Sequence, residues 1–294
     1  MKFRVDEFRR WQNRSVTLLG MSGVGKTYLS ALLRREDWFH YSGDYRIGTR
    51  YLDEPILDLI KSEAMEVPFL RDLLRRDWIA IHNKIRVDDL GPVMSFVGQL
   101  GDPNYNGLSL PEFKRRQAMY RKAEIKAMLD VPEFIEKARR IYGYQHFVND
   151  VGGSLCELDE QRVTDLLAKH TLILYIRVPE EDQIKLIRRA QSDPKPLYFR
   201  PAFLKSAVND YLTENSLTYV ADINPNAFTR WVFPRLFQSR VPRYEAIARP
   251  LGYTVESTEV AMVRDEQDFL ALIEVAIARK NEQQSHSVDD HAAD

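Results

Sequence analysis

The chain has 294 residues, with 42 Lys and Arg against 43 Asp and Glu, which gives a net charge of -1. A chain without excess positive charge has no global field that would attract nucleic acid or an anionic membrane. Hydrophobic residues make up 44% of the chain and charged residues 29%, which is typical of a globular protein and excludes a disordered one. The single cysteine, Cys156, excludes an internal disulfide, and we expect a buried thiol without chemistry.

Both the start of the chain and its apolar runs argue against export. The first residues are charged where a signal peptide would be apolar, and every apolar run is shorter than the roughly 20 residues that span a bilayer. We therefore expect a cytoplasmic protein with no membrane anchor. Residues 281–294 are polar and lack apolar periodicity, which predicts a disordered tail after a domain formed by residues 1–280.

Short apolar runs alternate with segments of helical period along the chain. The runs predict strands at 15–19, 39–41, 147–148, 172–178 and 253–255. This alternation predicts an α/β fold, a parallel sheet covered by helices. About 90 residues separate the second strand from the third, more than one crossover helix requires.

The long gap predicts an inserted helical subdomain at about 78–144. Within it, residues 109–112 form a capping-box pattern with Pro111 near the first helical position. This pattern predicts a helix that continues over 113–129.

One motif carries specific chemical information. The eight residues from Gly20 to Thr27 match G-x-x-x-x-G-K-[ST], between an apolar run and a segment of helical period. Such glycines let backbone N–H groups face a triphosphate, and the start of the helix adds its positive dipole end. Lys26 would reach the outer phosphates, and Thr27 would ligate Mg²⁺. The motif predicts nucleotide binding by Gly20, Ser22, Gly23, Val24, Gly25, Lys26, Thr27 and Tyr28.

Two classes of P-loop protein are disfavoured. Residues 150–153 fit the D-x-x-G of GTPases, but the only Asn-Lys pair, Asn83-Lys84, precedes them and has Arg86 where a guanine reader needs Asp. An AAA-type motor should show a hydrophobic run ending in Asp-Glu. Residues 146–150 are too polar for that run, and no Glu follows Asp150. A small-molecule kinase requires neither the guanine-reading motif nor the hydrophobic run ending in Asp-Glu.

The P-loop predicts that the parallel sheet is of the P-loop NTPase type. Further short motifs follow it at residues 39–44, 66–71, 150–154, 188–197 and 240–248. Their order resembles that of the shikimate kinase and gluconate kinase group of P-loop phosphotransferases. Residues 39–44, Phe-His-Tyr-Ser-Gly-Asp, are similar to the family's second strand, which ends in D-x-D. Asp44 retains the second acid, whereas Ser42 replaces the first. Residues 66–71 are similar to the family's E-x-x-F-R segment, with one extra residue before Arg71.

The resemblance continues in the second half of the chain. Residues 150–154 are similar to T-G-G-G-[AS] at the end of the third strand. The stretch from Arg188 to Leu197 resembles the helix and lid that end in R-P-L, with Lys195 at the position of the lid arginine. Residues 240–248 are similar to R-x-P-x-Y-x-x-x-A. These motifs frame residues 15–256, but 78–144 and 200–238 have no counterpart in the small kinases.

The resemblance implies a role for each matching residue. Asp44 would accept the proton of the acceptor hydroxyl, and Asp150 would support Mg²⁺ together with Thr27. Asp150 would thereby replace the acid that is lost at Ser42 on the neighbouring strand. A lid at about 188–200 would bring cationic side chains to the transferred phosphoryl group. Adjacent helical residues point about 100° apart, so only one of Arg188 and Arg189 would face the nucleotide. The implied catalytic residues are Lys26, Asp44, Asp150, Arg188 and Lys195, and the implied acceptor contacts are Asp44, Arg71, Gly152, Gly153 and Arg240.

The leading hypothesis is a kinase that uses ATP and Mg²⁺ to phosphorylate a hydroxyl of a small acceptor, which we expect to be anionic. Two alternatives stay open. One is an ATP-dependent regulatory or binding ATPase module whose ligand is a macromolecule. The other is a kinase for nucleic-acid ends that uses the basic segment 112–140, which has nine Lys and Arg against five Asp and Glu. The near-zero net charge favours the small acceptor.

Overall fold

The computed structural model describes residue 1 and residues 3–289. The chain forms two compact units. Unit 1 contains Met1–Gly43, Met128–Arg189 and the chain from Arg235 onwards. Unit 2 contains Asp44–Ala127 and Ala190–Pro234.

The strands confirm the predicted parallel sheet. In chain order they are β1 (Ser15–Leu19), β2 (Trp38–Ser42), β3 (Gln99–Leu100), β4 (Gly107–Leu108), β5 (His146–Asp150), β6 (Leu172–Arg177) and β7 (Gly252–Glu256). Five of them form the sheet of unit 1 in the order β2-β5-β1-β6-β7, and each neighbouring pair is parallel. The short strands β3 and β4 pair with each other in unit 2.

Helices cover this sheet, as predicted for an α/β fold. In chain order they are α1 (Val5–Arg10), α2 (Lys26–Leu33), α3 (Gly43–Arg46), α4 (Asp53–Met65), α5 (Pro68–Arg75), α6 (Gly91–Val97), α7 (Leu110–Leu129), α8 (Val131–Arg140), α9 (Gln161–His170), α10 (Glu180–Ser192), α11 (Pro201–Glu214), α12 (Pro225–Leu251), α13 (Ser257–Val260) and α14 (Glu266–Asp289). In unit 1, α2 and α8 pack against β2 and β5, α9 packs against β6, and α14 packs against β7. No helix in the described part of the chain is both long enough and apolar enough to cross a membrane.

The central strands are buried along their full length. Every residue of β1 and β5 is buried, because helices cover both faces of a parallel sheet. The polar residues among them bond to one another: Asn149 Nδ2 donates to Thr17 Oγ1 at 3.2 Å, and the Thr17 and Thr171 hydroxyls are 2.8 Å apart. These bonds satisfy polar groups that would be costly to bury alone.

The strand order determines where a ligand can bind. From β1 the chain crosses to the β2 edge of the sheet, whereas β6 lies on the other side of β1. In open α/β sheets, ligands bind beyond the carboxyl ends of the strands where the winding changes direction. That point lies at the end of β1, where the P-loop begins.

Unit 2 overlaps the helical insertion predicted at 78–144, but residues 128–144 belong to unit 1. Unit 2 begins at Asp44 and also takes in residues 190–234. Long-range bonds join the two segments: Gln117 Nε2 donates to Leu197 O at 3.0 Å, and its Oε1 accepts from Phe199 N at 2.8 Å. Helix α7 begins at Leu110, close to the predicted start.

The structure also differs from the prediction at the start of the tail. Helix α14 continues to Asp289, through residues assigned to the tail. Phe269, Ile273 and Ile277, which precede those residues, are fully buried and anchor the helix. Residues 290–294 of the predicted tail lie outside the described residues. The predicted lid at 188–200 comprises the end of α10 and residues 193–200, which adopt no regular secondary structure.

Candidate nucleotide site

The P-loop connects the end of β1 to the start of α2. Its three glycines, Gly20, Gly23 and Gly25, have φ angles of 149°, 86° and 106°. L-residues with a side chain rarely adopt this region. At Gly25 a Cβ atom would also lie only 2.8 Å from Val260 Cγ1. The backbone therefore requires glycine here to form the tight turn of a phosphate-binding loop.

The lysine of the motif is held inside the loop. The Lys26 Nζ donates at 2.8 Å to the carbonyl oxygens of both Gly20 and Met21. Only 6% of Lys26 is exposed. The ammonium group therefore lies at the loop itself, at the N-terminus of α2, where the helix dipole also favours an anion.

A carboxylate on the neighbouring strand meets the P-loop threonine. Thr27 Oγ1 donates to Asp150 Oδ2 at 3.1 Å, and Asp150 is 9% exposed at the end of β5. Burial raises the pKa of the Asp150 carboxyl, while the charge of Lys26 and the Thr27 hydrogen bond act in the opposite direction. The predicted pairing of Asp150 with the P-loop is thus present in the geometry.

These oxygen donors fit a magnesium ion. A carboxylate and a hydroxyl are hard oxygen ligands, and Mg²⁺ in phosphate sites takes only one or two protein ligands with waters and phosphate oxygens. No group of three or more His, Cys, Asp or Glu side chains that could hold a metal ion occurs among the residues that the structure describes. A site built on Thr27 and Asp150 alone therefore suits Mg²⁺ with a nucleotide and does not suit a metal enclosed by protein ligands.

A histidine lies beside this pair, although the sequence reading gave it no role. His40 Nε2 is 3.9 Å from Asp150 Oδ2, and the His40 side chain is 6% exposed. Burial, together with the charge of Arg34, lowers the pKa of His40 to about 4. The imidazole is therefore neutral near pH 7. The alternation of side chains along β2, which places His40 and Ser42 on one face, is a signal from which this position could have been found.

The segment after β5 packs directly on the P-loop. A Cβ atom at Gly153 would lie 2.3 Å from Ser22 Oγ and 2.9 Å from Ser22 N. Arg240 Nη1 and Tyr244 OH each donate to Gly153 O at 2.8 Å. Gly153 thus allows a close approach of two backbones, and two side chains of α12 hold it there.

Arg240 is more enclosed than the resemblance implied. It is 4% exposed, and its Nε lies 3.6 Å from Oε1 of Glu157, a carboxylate whose side chain is fully buried. This buried ion pair had no sequence signal. The Arg240 contacts described here support the Gly153 backbone, and its contact with an acceptor stays a prediction. Gly152 is also buried, and its acceptor contact likewise stays a prediction.

A cavity of about 570 Å³ opens beside the P-loop in unit 1. Its lining includes Gly23, Val24, Gly25, Tyr28, Val178, Asp182, Lys185, Leu186, Arg189, Ser257, Thr258, Val260 and Ala261. Apolar side chains from the loop, α10 and α13 are combined there with hydroxyl and charged groups. Tyr28 OH donates to Val263 O at 2.7 Å. Of the two lid arginines on α10, Arg189 lines this cavity and Arg188 does not.

Three predicted site residues belong to unit 2. Asp44 Oδ1 accepts a hydrogen bond from Tyr120 OH at 3.2 Å, and the Tyr120 ring stacks on Tyr198 with centroids 5.8 Å apart. Arg71 is half-buried on α5. The Lys195 side chain is 72% exposed and lies 3.4 Å from Asp193. Tyr120 was not predicted, because no motif marks it.

The basic segment is less available than its composition indicates. Arg116 is 7% exposed and donates to Glu112 Oε1 at 2.6 Å and to Phe96 O at 2.9 Å. Arg115 bonds to the same carboxylate, and hydrogen bonds from both arginines contribute to lowering the pKa of Glu112 to about 2. Arg116 is thus a buried structural residue.

Cys156 is buried, as expected, and burial raises the pKa of its thiol to about 12.

Comparison with known proteins gives only distant similarity. No protein-family model and no curated protein matches the sequence. The chain is similar to the crystal structure of shikimate kinase from Bacteroides thetaiotaomicron, with 13% identity and a TM-score of 0.39 over 92% of this chain and 98% of that one. For shikimate kinase from Aquifex aeolicus the identity is 12% and the TM-score 0.27, over 77% and 98% of the two chains.

Similarities this weak carry no argument about activity. The fold class follows from the chain's own features: a five-stranded parallel sheet, helices on it, and a P-loop between β1 and α2. These features define an α/β protein of the P-loop type.

Proposed function

We propose that the protein binds ATP and Mg²⁺ at the P-loop and transfers the γ-phosphoryl group to a hydroxyl of a small acceptor. The observation that carries the proposal is the hydrogen bond from Thr27 to Asp150 beside the enclosed Lys26 ammonium. It joins a phosphate-binding loop to a carboxylate on the adjacent strand, at the end of the sheet where α/β proteins bind ligands.

Lys26 and the start of α2 bind the triphosphate. The ammonium group exchanges its two carbonyl partners for phosphate oxygens, which are stronger charge-assisted acceptors. When bound, Mg²⁺ neutralises charge that develops on the phosphate oxygens. Thr27 and Asp150 are the residues that would hold it.

The cavity of about 570 Å³ supports a nucleoside site next to the phosphates. Val178, Leu186 and Val260 supply apolar surface for a heterocyclic base, and Ser257 and Thr258 supply hydroxyl groups for its polar edges. Arg189, which lines the cavity, is the better candidate of the lid pair to reach phosphate oxygens. Lys195 is proposed to contribute from the exposed segment 193–200.

Asp44 is proposed to receive the proton of the acceptor. The acceptor oxygen forms a bond to the γ-phosphorus, the bond from that phosphorus to the bridging oxygen breaks, and ADP leaves. The hydroxyl proton moves to the Asp44 carboxylate, which Tyr120 orients through its hydrogen bond. Arg71 and Arg240, with the backbone of Gly152 and Gly153, are proposed to recognise an anionic acceptor.

An acceptor screen tests this function. ADP release is measured with ATP and Mg²⁺ over polyols, sugar acids, nucleosides and oligonucleotides, and the phosphorylated product is identified by mass spectrometry. We expect ADP release that depends on a small anionic hydroxyl compound and matches the product in amount. ADP release that no acceptor stimulates would contradict the kinase and favour the ATPase module, and a phosphorylated oligonucleotide would favour the nucleic-acid kinase.

The two acids are separated by their metal dependence. Asp150→Asn should raise the Mg²⁺ concentration for half-maximal activity, whereas Asp44→Asn should lower kcat with little change in that requirement. The reverse result would exchange their roles. Unchanged kinetics in both variants would exclude these acids from the site.

A further inference from the structure

His40, a buried residue without an assigned role, lies beside Asp150, the carboxylate proposed to hold Mg²⁺. His40 Nε2 has no hydrogen-bond partner within the described part of the chain, yet it lies 3.9 Å from Asp150 Oδ2. A buried polar atom that makes no hydrogen bond costs free energy, and each such atom in a folded protein needs an explanation. The position of this nitrogen indicates which group it serves.

The sheet directs the imidazole toward Asp150. In the parallel pairing of β2 with β5, His40 lies opposite Val148 and Ser42 lies opposite Asp150. Side chains two residues apart on a strand share a face, so His40 and Asp150 lie on the same face of the sheet, with His40 two positions earlier in the register. Helix α2, which carries Thr27, packs on β2 and β5.

Thr27 and His40 both lie near the same oxygen of the Asp150 carboxylate. Thr27 Oγ1 already donates to Asp150 Oδ2, and His40 Nε2 lies 3.9 Å from the same oxygen. A neutral imidazole carries one N–H, which can serve as the donor. A shift of about 1 Å in either side chain would bring the pair within hydrogen-bond distance. The other oxygen, Oδ1, keeps its lone pairs for a metal ion or for water on that ion.

We propose that His40 is a positioning residue that donates its Nε2–H to Asp150 Oδ2 and fixes this carboxylate for the magnesium ion of the phosphate site. The inference rests on the proposed function, because it assigns a task within the same site. Residues that orient metal ligands typically change metal affinity 10- to 100-fold when they are replaced. Loss of the His40 donor should therefore weaken magnesium binding and leave the phosphate loop intact.

Magnesium dependence of ADP binding, followed by titration calorimetry, tests the inference without requiring turnover. In His40→Leu we expect the Mg²⁺ concentration for half of the magnesium-induced gain in ADP affinity to rise about tenfold. The ADP affinity without Mg²⁺ should stay unchanged. His40→Gln, whose amide can replace the Nε2 donor, should restore the magnesium requirement to within about threefold.

Two controls separate positioning from general support of the sheet. His146 is a similarly buried histidine on β5, 7% exposed, whose Nδ1 accepts from Arg14 N. His146→Asn should leave the magnesium requirement unchanged. In an Asp150→Asn background, His40→Leu should add no further change, because residues that act through one another are not additive.

Each outcome decides a different point. If His40→Leu does not fold, His40→Asn, whose amide is too short to reach Asp150, replaces it and should raise the requirement similarly. A folded donor-free variant with wild-type magnesium dependence overturns the inference alone. An equal loss of ADP affinity with and without Mg²⁺ also overturns it, since that result indicates a structural role. Wild-type ADP binding that ignores Mg²⁺ would overturn the proposed function together with the inference.

Discussion

The candidate site residues of unit 1 and unit 2 are held in different ways. In unit 1, Lys26 and Thr27 belong to one short motif, and backbone turns and the start of α2 determine where their side chains lie. In unit 2, Asp44 bonds to Tyr120, a residue 76 positions away, and Gln117 bonds across 82 positions to Phe199. The proposed phosphate contacts are therefore local in the chain, whereas the proposed acceptor residues of unit 2 depend on contacts between distant segments.

This difference follows from the groups that are recognised. A triphosphate can be bound by backbone N–H groups, a helix N-terminus and one lysine, all of which a few consecutive residues supply. An acceptor is distinguished by its shape and by the position of its polar groups, which requires side chains from several elements. Variants in the two units should therefore affect different measurements.

The largest effect is expected in the motif itself. Lys26→Ala removes a buried ammonium and little core volume, so ATP affinity should fall about 100-fold while the fold is retained. Calorimetry with ATP and Mg²⁺ measures the affinity, and circular dichroism checks the fold. Lys169→Ala, at an exposed lysine in the same unit, is the control. Wild-type affinity in a folded Lys26→Ala protein would refute the local character of phosphate binding.

Gly153→Ala should have the next largest effect. The added Cβ would lie 2.3 Å from Ser22 Oγ, so the P-loop must move, and we expect ADP affinity to fall about tenfold. Gly143→Ala provides a contrast: its Cβ would meet nothing within 4 Å, although φ is 76°. That variant should lose stability without losing affinity, as thermal denaturation and calorimetry would show. Equal affinities for the two variants would argue against the contact.

Tyr120→Phe tests the role proposed for unit 2. It removes the hydroxyl that donates to Asp44, so kcat should fall about tenfold, the amount expected for one hydrogen bond of about 1.5 kcal/mol to a carboxylate. The ADP affinity should stay unchanged, because that site belongs to unit 1. Tyr105→Phe, at a tyrosine 62% exposed, is the matched control. A loss of ADP affinity in Tyr120→Phe would contradict the division of tasks.

The sheet of unit 1 should respond to acid through His146. Burial, followed by the charges of Arg14 and Arg139, lowers the pKa of His146 below its ordinary 6.5, against the opposing effect of Glu266 and Asp37. The folded state therefore binds fewer protons than the unfolded state. The resulting stability is present above pH 6.5 and is lost as the pH falls through the folded pKa.

His146→Asn should reduce this acid dependence, because the amide oxygen can still accept from Arg14 N but does not titrate. Part of the dependence should remain, because the pKa of the buried His40 is also lowered, to about 4. Urea denaturation between pH 7.5 and about 5 measures the free energy of unfolding. His82→Asn, at an exposed histidine, should keep the wild-type dependence. If the His146→Asn profile matches that of the wild type, the buried imidazole does not cause the acid loss.

The smallest effect is expected on the basic face of α7. Lys114 and Lys122 are exposed, unlike the buried Arg116, so Lys114→Glu with Lys122→Glu tests nucleic-acid binding without disturbing the core. We expect no salt-dependent oligonucleotide binding in either the wild type or this variant, measured by fluorescence anisotropy. A steeply salt-dependent wild-type complex that these changes abolish would indicate phosphate contacts and a polymeric acceptor.

Sequence and structure agree where the signal is periodic or local. The five strands, the parallel sheet and the position of α7 follow from apolar runs and a capping pattern, and the glycines of the P-loop follow from the backbone that the motif requires. They disagree at the boundaries of the helical unit and at the exposure of an arginine side chain. The unit that begins at Asp44 also includes residues 190–234, and Arg116, expected on a basic face, is buried against Glu112 and Phe96.

The sequence by itself determined the α/β class and the phosphate loop, because periodicity and glycine-dependent turns act over a few residues. The candidate acids Asp44 and Asp150 came from the resemblance to a known family. Tertiary structure alone decided that His40 lies beside Asp150, that the Arg240–Glu157 pair supports Gly153 against Ser22, and that Tyr120 meets Asp44. These contacts join residues far apart in the chain. Their energy comes from burial and hydrogen bonds that exist only after the strands and helices have packed.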